Sequence, residues 1–505
     1  MDAEHNLDDC LSARGGVLHV EQIAATSLVE RFGSPLFVVS EDQLRRNVRR
    51  FKSAFASGWT AGPVAVMPAV KANWNIAVQR VLADEACGAD VYSPGELEVA
   101  LRAGIDPAAI SVNGVPKSAE HVARSIEAGA RLTVDSLEDV RMLGELAGSR
   151  TAFVRLRLRP AVSTFVRASD FVPEGPMPAD IAALAYKGGL SFEEAVEAGR
   201  RLLAMPHVRL VGVHQHHGRH DRSTDWWRAQ MIAYAREVGR LVAALPGFRP
   251  TELDIGGGFA IPRDPHNAAT HHATPYLYAN LYALSRALAL FGETVRYRAI
   301  GRLVRFIKGT PNQTRAPAIE DYARVVTSTL LRELPCHGID PRGITLQLEP
   351  GRAIHGDAGV HLATIRSIKR QTSPLRWNVV TVDTSEFFLT GGRFEHHMHD
   401  HVIASKVGAP PAFVADVTGR SCYGDRLLGS VALPDVAIGD VFAFLDTGAY
   451  QDASCSNFNA MPRPATVMVR GGEAFVIRRA ETLADVLARD SVPAHLEQHP
   501  IQLQA

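Results

Sequence analysis

The segment VMPAVKANWN, residues 66 to 75, runs from an apolar stretch into a lysine, Lys71, followed by small polar positions. A lysine amine fixed at the end of a buried strand is a nucleophile for a carbonyl carbon, whereas a solvated lysine in the same place does nothing in particular. Other apolar runs in the chain also finish on polar or backbone-exposing residues. They close on Asp90, on Asn113, on Arg157, on His214 with His216, on the triple glycine Gly256, Gly257 and Gly258, and on Glu349 followed by Gly351 and Arg352. Glycines let backbone N–H groups approach an anion and an arginine adds charge, so these last two runs suit a phosphate. Each feature alone is equally well explained by a tight turn or a solvated side chain; together they point to carbonyl chemistry beside a bound phosphate.

Eight β-rich runs would position these residues: 63–71, 88–93, 110–114, 132–136, 152–160, 210–218, 252–259 and 345–352. Between several of them, AVQRVLADEA, GELEVALRAG, SAEHVARSIEAG and SLEDVRMLGELA space apolar residues three and four apart, the pattern of amphipathic helices. Alternating β and α units require parallel strands joined by crossovers, and eight of them close an α/β fold, a TIM-like (β/α)8 barrel. An open doubly wound sheet is the alternative. In such a barrel the chemistry sits at the C-terminal strand ends, with phosphate commonly held after strands seven and eight. A Schiff-base lysine next to that phosphate means pyridoxal 5'-phosphate.

The barrel is expected over 36–355, with insertions near 161–207 and 260–343, the latter containing helix-like LYALSRALAL and YARVVTSTLLREL. After Arg352 the pattern changes to strands with turn punctuation, including a hairpin over Gly471 and Gly472, so residues 1–35 and 356–505 are expected to form a second, mainly β domain.

At 505 residues the chain is long enough for two cores. Lys plus Arg and Asp plus Glu each number 54, a zero formal charge that favours neither nucleic acid nor an anionic membrane surface. The expected partners are a small molecule and a second copy of the chain. The five cysteines (Cys10, Cys87, Cys336, Cys422, Cys455) lack CxxC spacing, and the acidic start has no basic segment leading into an apolar one. A cytoplasmic location fits. The histidine run His396, His397, His399 and His401, and His266, His271 and His272, lack the fixed spacing of a metal site, so no metal is expected.

The motifs AVKAN, GADVYSPGELE, VHQHHG, DIGGGF, LEPGR, SCYGD and GAYQD, in this order, resemble those of the alanine-racemase-fold (fold type III) pyridoxal phosphate decarboxylases, closest in wording to the diaminopimelate and ornithine decarboxylase group. The resemblance spans roughly residues 34 to 465 apart from the insertions. It implies that Lys71 carries the cofactor as a Schiff base, that His216 stacks on the pyridine ring with Asp90 nearby, and that Gly256, Gly257, Gly258, Gly351, Arg352 and Tyr450 hold the phosphate. Arg157 joins the cofactor contacts. Glu349 would face the ring nitrogen, which keeps it protonated and able to take up electrons from Cα; racemases of this fold place an arginine there. Cys422 would return a proton to Cα from a second subunit, making a homodimer with shared sites.

This sequence departs from that family where the substrate side chain is read. Tyr423 follows Cys422 where an acid is usual, Thr384 stands at another acidic position, and Arg219, followed by His220, replaces a serine. Tyr423, Asp425 and Arg219 are the expected substrate contacts. Fewer negative charges, with Arg155 and Arg157 close by, suggest a non-dibasic amino acid as the substrate of the decarboxylase. Racemisation, aldol cleavage or carbon–carbon bond formation at Cα is the alternative enzymatic reading, and a non-catalytic decarboxylase-like regulator the remaining one.

Overall fold

The structure is a computed structural model that describes residues 7, 10–160, 165–166, 175–176, 187–217, 223–263, 280–308, 316–372, 377–391 and 399–496. Eight short strands form one parallel sheet: Val64–Val66, Ala89–Val91, Ile110–Val112, Arg131–Val134, Ala152–Arg157, Val208–His214, Glu252–Asp254 and Thr345–Leu348. Each pairs with its neighbour in chain order, the last pairs with the first, and a single bridge between Ala69 and Asp90 joins the first to the second. The sheet is thus a nearly closed (β/α)8 barrel. Lys71 lies beyond its strand, on a 3-10 turn over Val70–Ala72, because the strand stops at Val66.

The helices start where serine or asparagine precedes an apolar period. Asn75, Ser93, Ser118, Ser136, Ser191 and Ser223 each accept a hydrogen bond from a backbone N–H in the first turn of the helix that follows. Their apolar stripes pack on the barrel in one continuous core that includes Val78, Leu97, Val122, Val140, Leu202, Trp227 and Leu330. Much of the expected first insertion lies outside the described residues, but Phe192–Leu203 within it is a crossover helix leading to strand six. Of the second, Glu293–Lys308 and Ile319–Cys336 are helices, and Arg286–Phe291 is a 3-10 turn.

A second, nine-stranded sheet is built mainly from residues after 356, with the expected hairpin between Ala465–Arg470 and Glu473–Arg478. Its two faces carry separate apolar clusters. One strand corrects the boundary expected at residue 36. Leu36–Ser40 lies in the middle of this sheet, antiparallel to Gly359–Gln371 and parallel to Ala465–Arg470. All five of its residues are buried, as in a central strand covered on both faces, and the pairing on both edges places it in the second sheet. Residues 11–24 form a small three-stranded sheet of their own, tied to the second domain by Leu18 N–H donating to Ala404 O at 2.7 Å. Among the described residues no helix is long and apolar enough to cross a membrane.

Candidate active site

The turn after the first barrel strand aims Lys71 at the end of the second. Its Nζ lies 2.5 Å from Asp90 Oδ2; the lysine side chain is 44% exposed and the aspartate 3%. Desolvation works against the ammonium, but the charge of Asp90, helped by Tyr450 and Glu349, outweighs it and holds Lys71 above its ordinary range. Burial likewise opposes the Asp90 carboxylate, and Lys71 with Asn113 brings it below its usual value.

Asn113 continues the network. Its Nδ2 lies 2.8 Å from Asp90 Oδ1 and 2.5 Å from Glu349 Oε1. His214 Nε2 is 3.2 Å from Glu349 Oε2. Burial depresses His214 to about 3, so the ring is neutral; donating from Nε2 leaves its buried Nδ1 as an acceptor without a partner. Burial and the neighbouring charge of Asp90 raise Glu349 to about 7, against the pull of Arg155 and Lys71.

On the other flank, Gly256 turns with φ +70°, and a Cβ there would sit 2.8 Å from His216 Nδ1. A side chain at Gly351 would run into the Tyr450 hydroxyl. Tyr450 is held in a left-handed conformation by its N–H donating to Ala72 O at 2.7 Å, directly beside Lys71. Arg352, buried, lies with its guanidinium carbon 5.2 Å from the Tyr450 ring centroid. An amine, a neutral imidazole, a carboxylate, a guanidinium and a cradle kept open by glycines are the donor set for a phosphorylated pyridine aldehyde.

Over residues 41–288 the chain matches the family model described as pyridoxal-dependent decarboxylase, pyridoxal binding domain. It is 31% identical over 490 residues to the diaminopimelate decarboxylase of Actinosynnema pretiosum subsp. auranticum, covering 94% of this chain and 93% of that one. The chain belongs to the fold type III pyridoxal-phosphate-dependent decarboxylases. This decarboxylase is also 29% identical to the diaminopimelate decarboxylase of Methanocaldococcus jannaschii over 97% of this chain and 98% of the relative. A crystal structure of the M. jannaschii enzyme in complex with L-lysine superposes with a TM-score of 0.77 at 28% identity, covering 97% and 99% of the two chains. The cofactor is pyridoxal 5'-phosphate and the substrate an amino acid. Both of these relatives carry the name of diaminopimelate decarboxylase, which gives the expected non-dibasic substrate no support.

The decarboxylase thus brings together Lys71, Asp90, His216, Gly256, Gly257, Glu349, Gly351, Arg352 and Tyr450 at one end of the barrel. Arg157 reaches Asp135 at 3.3 Å. The Cys422 loop belongs to the second domain, between the strands Phe413–Thr418 and Arg426–Leu433. Cys422 is exposed; its N–H donates to Asn459 Oδ1 at 3.0 Å, and Asn459 Nδ2 lies 3.2 Å from its sulfur. Tyr423, 41% exposed, packs edge-on against Phe387.

Two expectations need correcting. Asp425 is not a free substrate contact: it is buried, with Oδ1 accepting from Glu386 N–H at 2.6 Å and Oδ2 from Ser421 N–H at 2.6 Å, so its carboxylate shapes its own loop. Arg155 does not stand beside the substrate as expected, because it is fully buried in the barrel interior and bonded to Asp254, Gln347 and Ser111. Arg219, His220, His266, His271, His272, His396 and His397 lie outside the described residues. Sequence reasoning missed Ser111, Asp254 and Gln347 and left Asn113 without a role. The signal was present: Ser111 and Asn113, Asp254 and Gly256, and Gln347 and Glu349 stand two apart on a strand, and so share its face.

Proposed function

We propose that this decarboxylase binds its cofactor through Lys71 and works as a homodimer in which Cys422 of one subunit completes the site of the other. The observation that carries the reading is the continuous hydrogen-bonded path from the Lys71 amine through Asp90 and Asn113 to Glu349, which holds the amine and the carboxylate in one network at the barrel mouth. Pyridoxal phosphate, once bound, takes up the electron pair left on Cα when the carboxylate leaves. Lys71 supplies the amine that captures the aldehyde, and Asp90 holds it in place by charge. His216, neutral through burial, offers a flat face beside the glycine turn. Glu349, as a carboxylate, holds a proton on the ring nitrogen. Arg352, Tyr450 and the backbone of Gly256 to Gly258 hold the phosphate. The exposed thiol of Cys422 delivers a proton to Cα, and its exposure on a hydrogen-bonded loop supports delivery from the partner.

For the substrate, the names of the relatives make diaminopimelate the first compound to test, and the Cys422 loop argues for a site not tuned to a free distal ammonium. With Tyr423 in place of an acid and Asp425 bonded within its loop, that loop presents no unengaged carboxylate. Carbon dioxide release from diaminopimelate, lysine, ornithine, and neutral and acidic amino acids of both configurations distinguishes the two. Efficient turnover of dibasic compounds alone would overturn the non-dibasic reading. Borohydride reduction of the loaded enzyme should fix the cofactor on the peptide that contains Lys71; its appearance on another lysine would overturn the assignment of Lys71.

A further inference from the structure

Beneath the mouth of the barrel lies a second layer of polar side chains that the reaction above does not use. Ser111, Arg155, Asp254 and Gln347 each precede a mouth residue by two positions on four different strands, and all four are buried. Arg155 is their centre. Its Nη1 lies 2.5 Å from Asp254 Oδ2 and also donates to Gln347 Oε1, while its Nη2 donates to Ser111 Oγ. Ser111 Oγ in turn lies 3.2 Å from Glu349 Oε1 and 2.9 Å from Asn113 Nδ2. Asp254 closes the ring from the other side, accepting from Gly256 N–H at 2.9 Å. His214, Asp254 and Glu349 each place one atom within 4.8 Å of the others.

A fully buried guanidinium is costly unless its charge is used. Here three carboxylates, Asp90, Asp254 and Glu349, crowd one barrel interior. Facing them are Lys71 at the mouth, Arg155 below and neutral His214, while the nearby Tyr234 hydroxyl donates to the backbone carbonyls of Val213 at 2.8 Å and Asp254 at 3.3 Å. Lys71 is engaged at the mouth by Asp90 at 2.5 Å. Arg155 is then the cation that remains in the floor.

We propose that Arg155 is a positioning residue, whose guanidinium, through Asp254 and the Ser111 hydroxyl, fixes the orientation and negative charge of Glu349 and thereby the proton on the cofactor ring nitrogen. This rests on the reading that Glu349 faces that nitrogen. A neutral residue in place of Arg155 leaves the carboxylates without their counter-charge, so Glu349 keeps its proton to higher pH and stops holding one on the ring. The shifts agree in direction: burial raises Asp254 to about 7 while Arg155 opposes the rise in both Asp254 and Glu349.

The test compares Arg155→Met and Arg155→Lys in two measurements. One is the pH titration of the buried carboxyl groups by infrared absorption in cofactor-free protein; the other is the pH profile of kcat. Arg155→Met should move the carboxyl midpoint and the acid limb of kcat upward by about one pH unit, the scale of a lost neighbouring charge, and lower kcat about tenfold near neutrality. Arg155→Lys should return most of both shifts, and in a Glu349→Gln background Arg155→Met should leave the acid limb unmoved. An unshifted midpoint in a folded Arg155→Met protein overturns the proposal, as does an equal loss at every pH in both variants. If Arg155→Met does not fold, Ser111→Ala decides: a smaller upward shift supports the relay and an unchanged midpoint overturns it. Full kcat in Glu349→Gln would instead sink the ring-nitrogen reading, leaving the infrared result to judge Arg155.

Discussion

At the barrel mouth, Lys71, Asp90, Asn113, Glu349 and His214 form one chain of hydrogen bonds in which each group fixes the next, on strands locked into a continuous core. On the loop that carries Cys422, Asp425 and Asn459 organise the backbone from within the second domain, while the chemically useful atoms, the thiol and the Tyr423 ring, are left facing outward. The first region has the interior partners of a finished binding site. The second has the form of a finished support for an unfinished one. A proton donor on a well-braced, exposed loop serves a site that comes to it from elsewhere, which is the physical case for a shared site between two copies.

The comparison breaks if the mouth is dispensable or the loop acts alone. Lys71→Ala should show the largest effect, a loss of at least ~10³-fold in kcat, since the residue acts as a unit with the cofactor; carbon dioxide release measures it. Cys422→Ala should cost about 10²-fold in kcat, the scale of one general acid, while the visible spectrum of the loaded enzyme stays unchanged. Mixing the two inactive chains under conditions of subunit exchange should restore activity, because each mixed dimer contains one site with both groups. No recovery in verified mixed dimers would place Cys422 in the service of its own chain.

The same contrast marks what the sequence makes legible. Strand-end residues stand out because a polar group closing an apolar run has no reason to be there unless the end of the strand matters, and this is how Lys71, Asp90, Glu349 and Arg352 were read. Arg155 is expected beside Arg157 in the substrate pocket, and alternation puts both on one strand face but does not give depth; the structure buries Arg155 below the mouth, among Asp254, Gln347 and Ser111. The run LFVVS at 36–40 is apolar throughout, which fits a central strand of either sheet, and only the pairing with Gly359–Gln371 and Ala465–Arg470 decides. Asp425 shows the limit for loops. Its neighbours Ser385 and Glu386 lie some forty positions upstream, so nothing local announces that its oxygens are occupied.

A pH experiment sharpens the account of the mouth. Burial and Asp90 raise the folded-state pKa of Glu349 from 4.5 to about 7, so the folded cofactor-free protein binds a proton that the unfolded chain releases between those values. Stability from this group is therefore present at low pH and lost as pH rises through about 7. Glu349→Gln, which cannot ionise, should be more stable than the parent above pH 7, by at most ~3.5 kcal/mol at about 1.4 kcal/mol per pKa unit, and the difference should shrink toward pH 5. Thermal unfolding of the two cofactor-free proteins across that range measures it. His361, depressed by burial and not bonded to Glu349, responds in the opposite sense but is common to both proteins and cancels in the difference.

The smallest effect belongs to the loop. Asp425 sits at φ +41°, which asparagine tolerates, so Asp425→Asn changes the charge and one acceptor while sparing the backbone. Oδ1 can still accept from Glu386 N–H, but an amide nitrogen replaces Oδ2 and confronts Ser421 N–H, donor against donor. Losing one charge-assisted hydrogen bond of this kind costs roughly 1.5–3 kcal/mol, borne locally by the 419–425 loop. The expected result is a several-fold fall in kcat through a displaced Cys422, with cofactor affinity unchanged. A loss of cofactor affinity in Asp425→Asn would mean that the loop and the mouth are coupled within a single subunit, and the separation on which the shared-site reading depends would no longer hold.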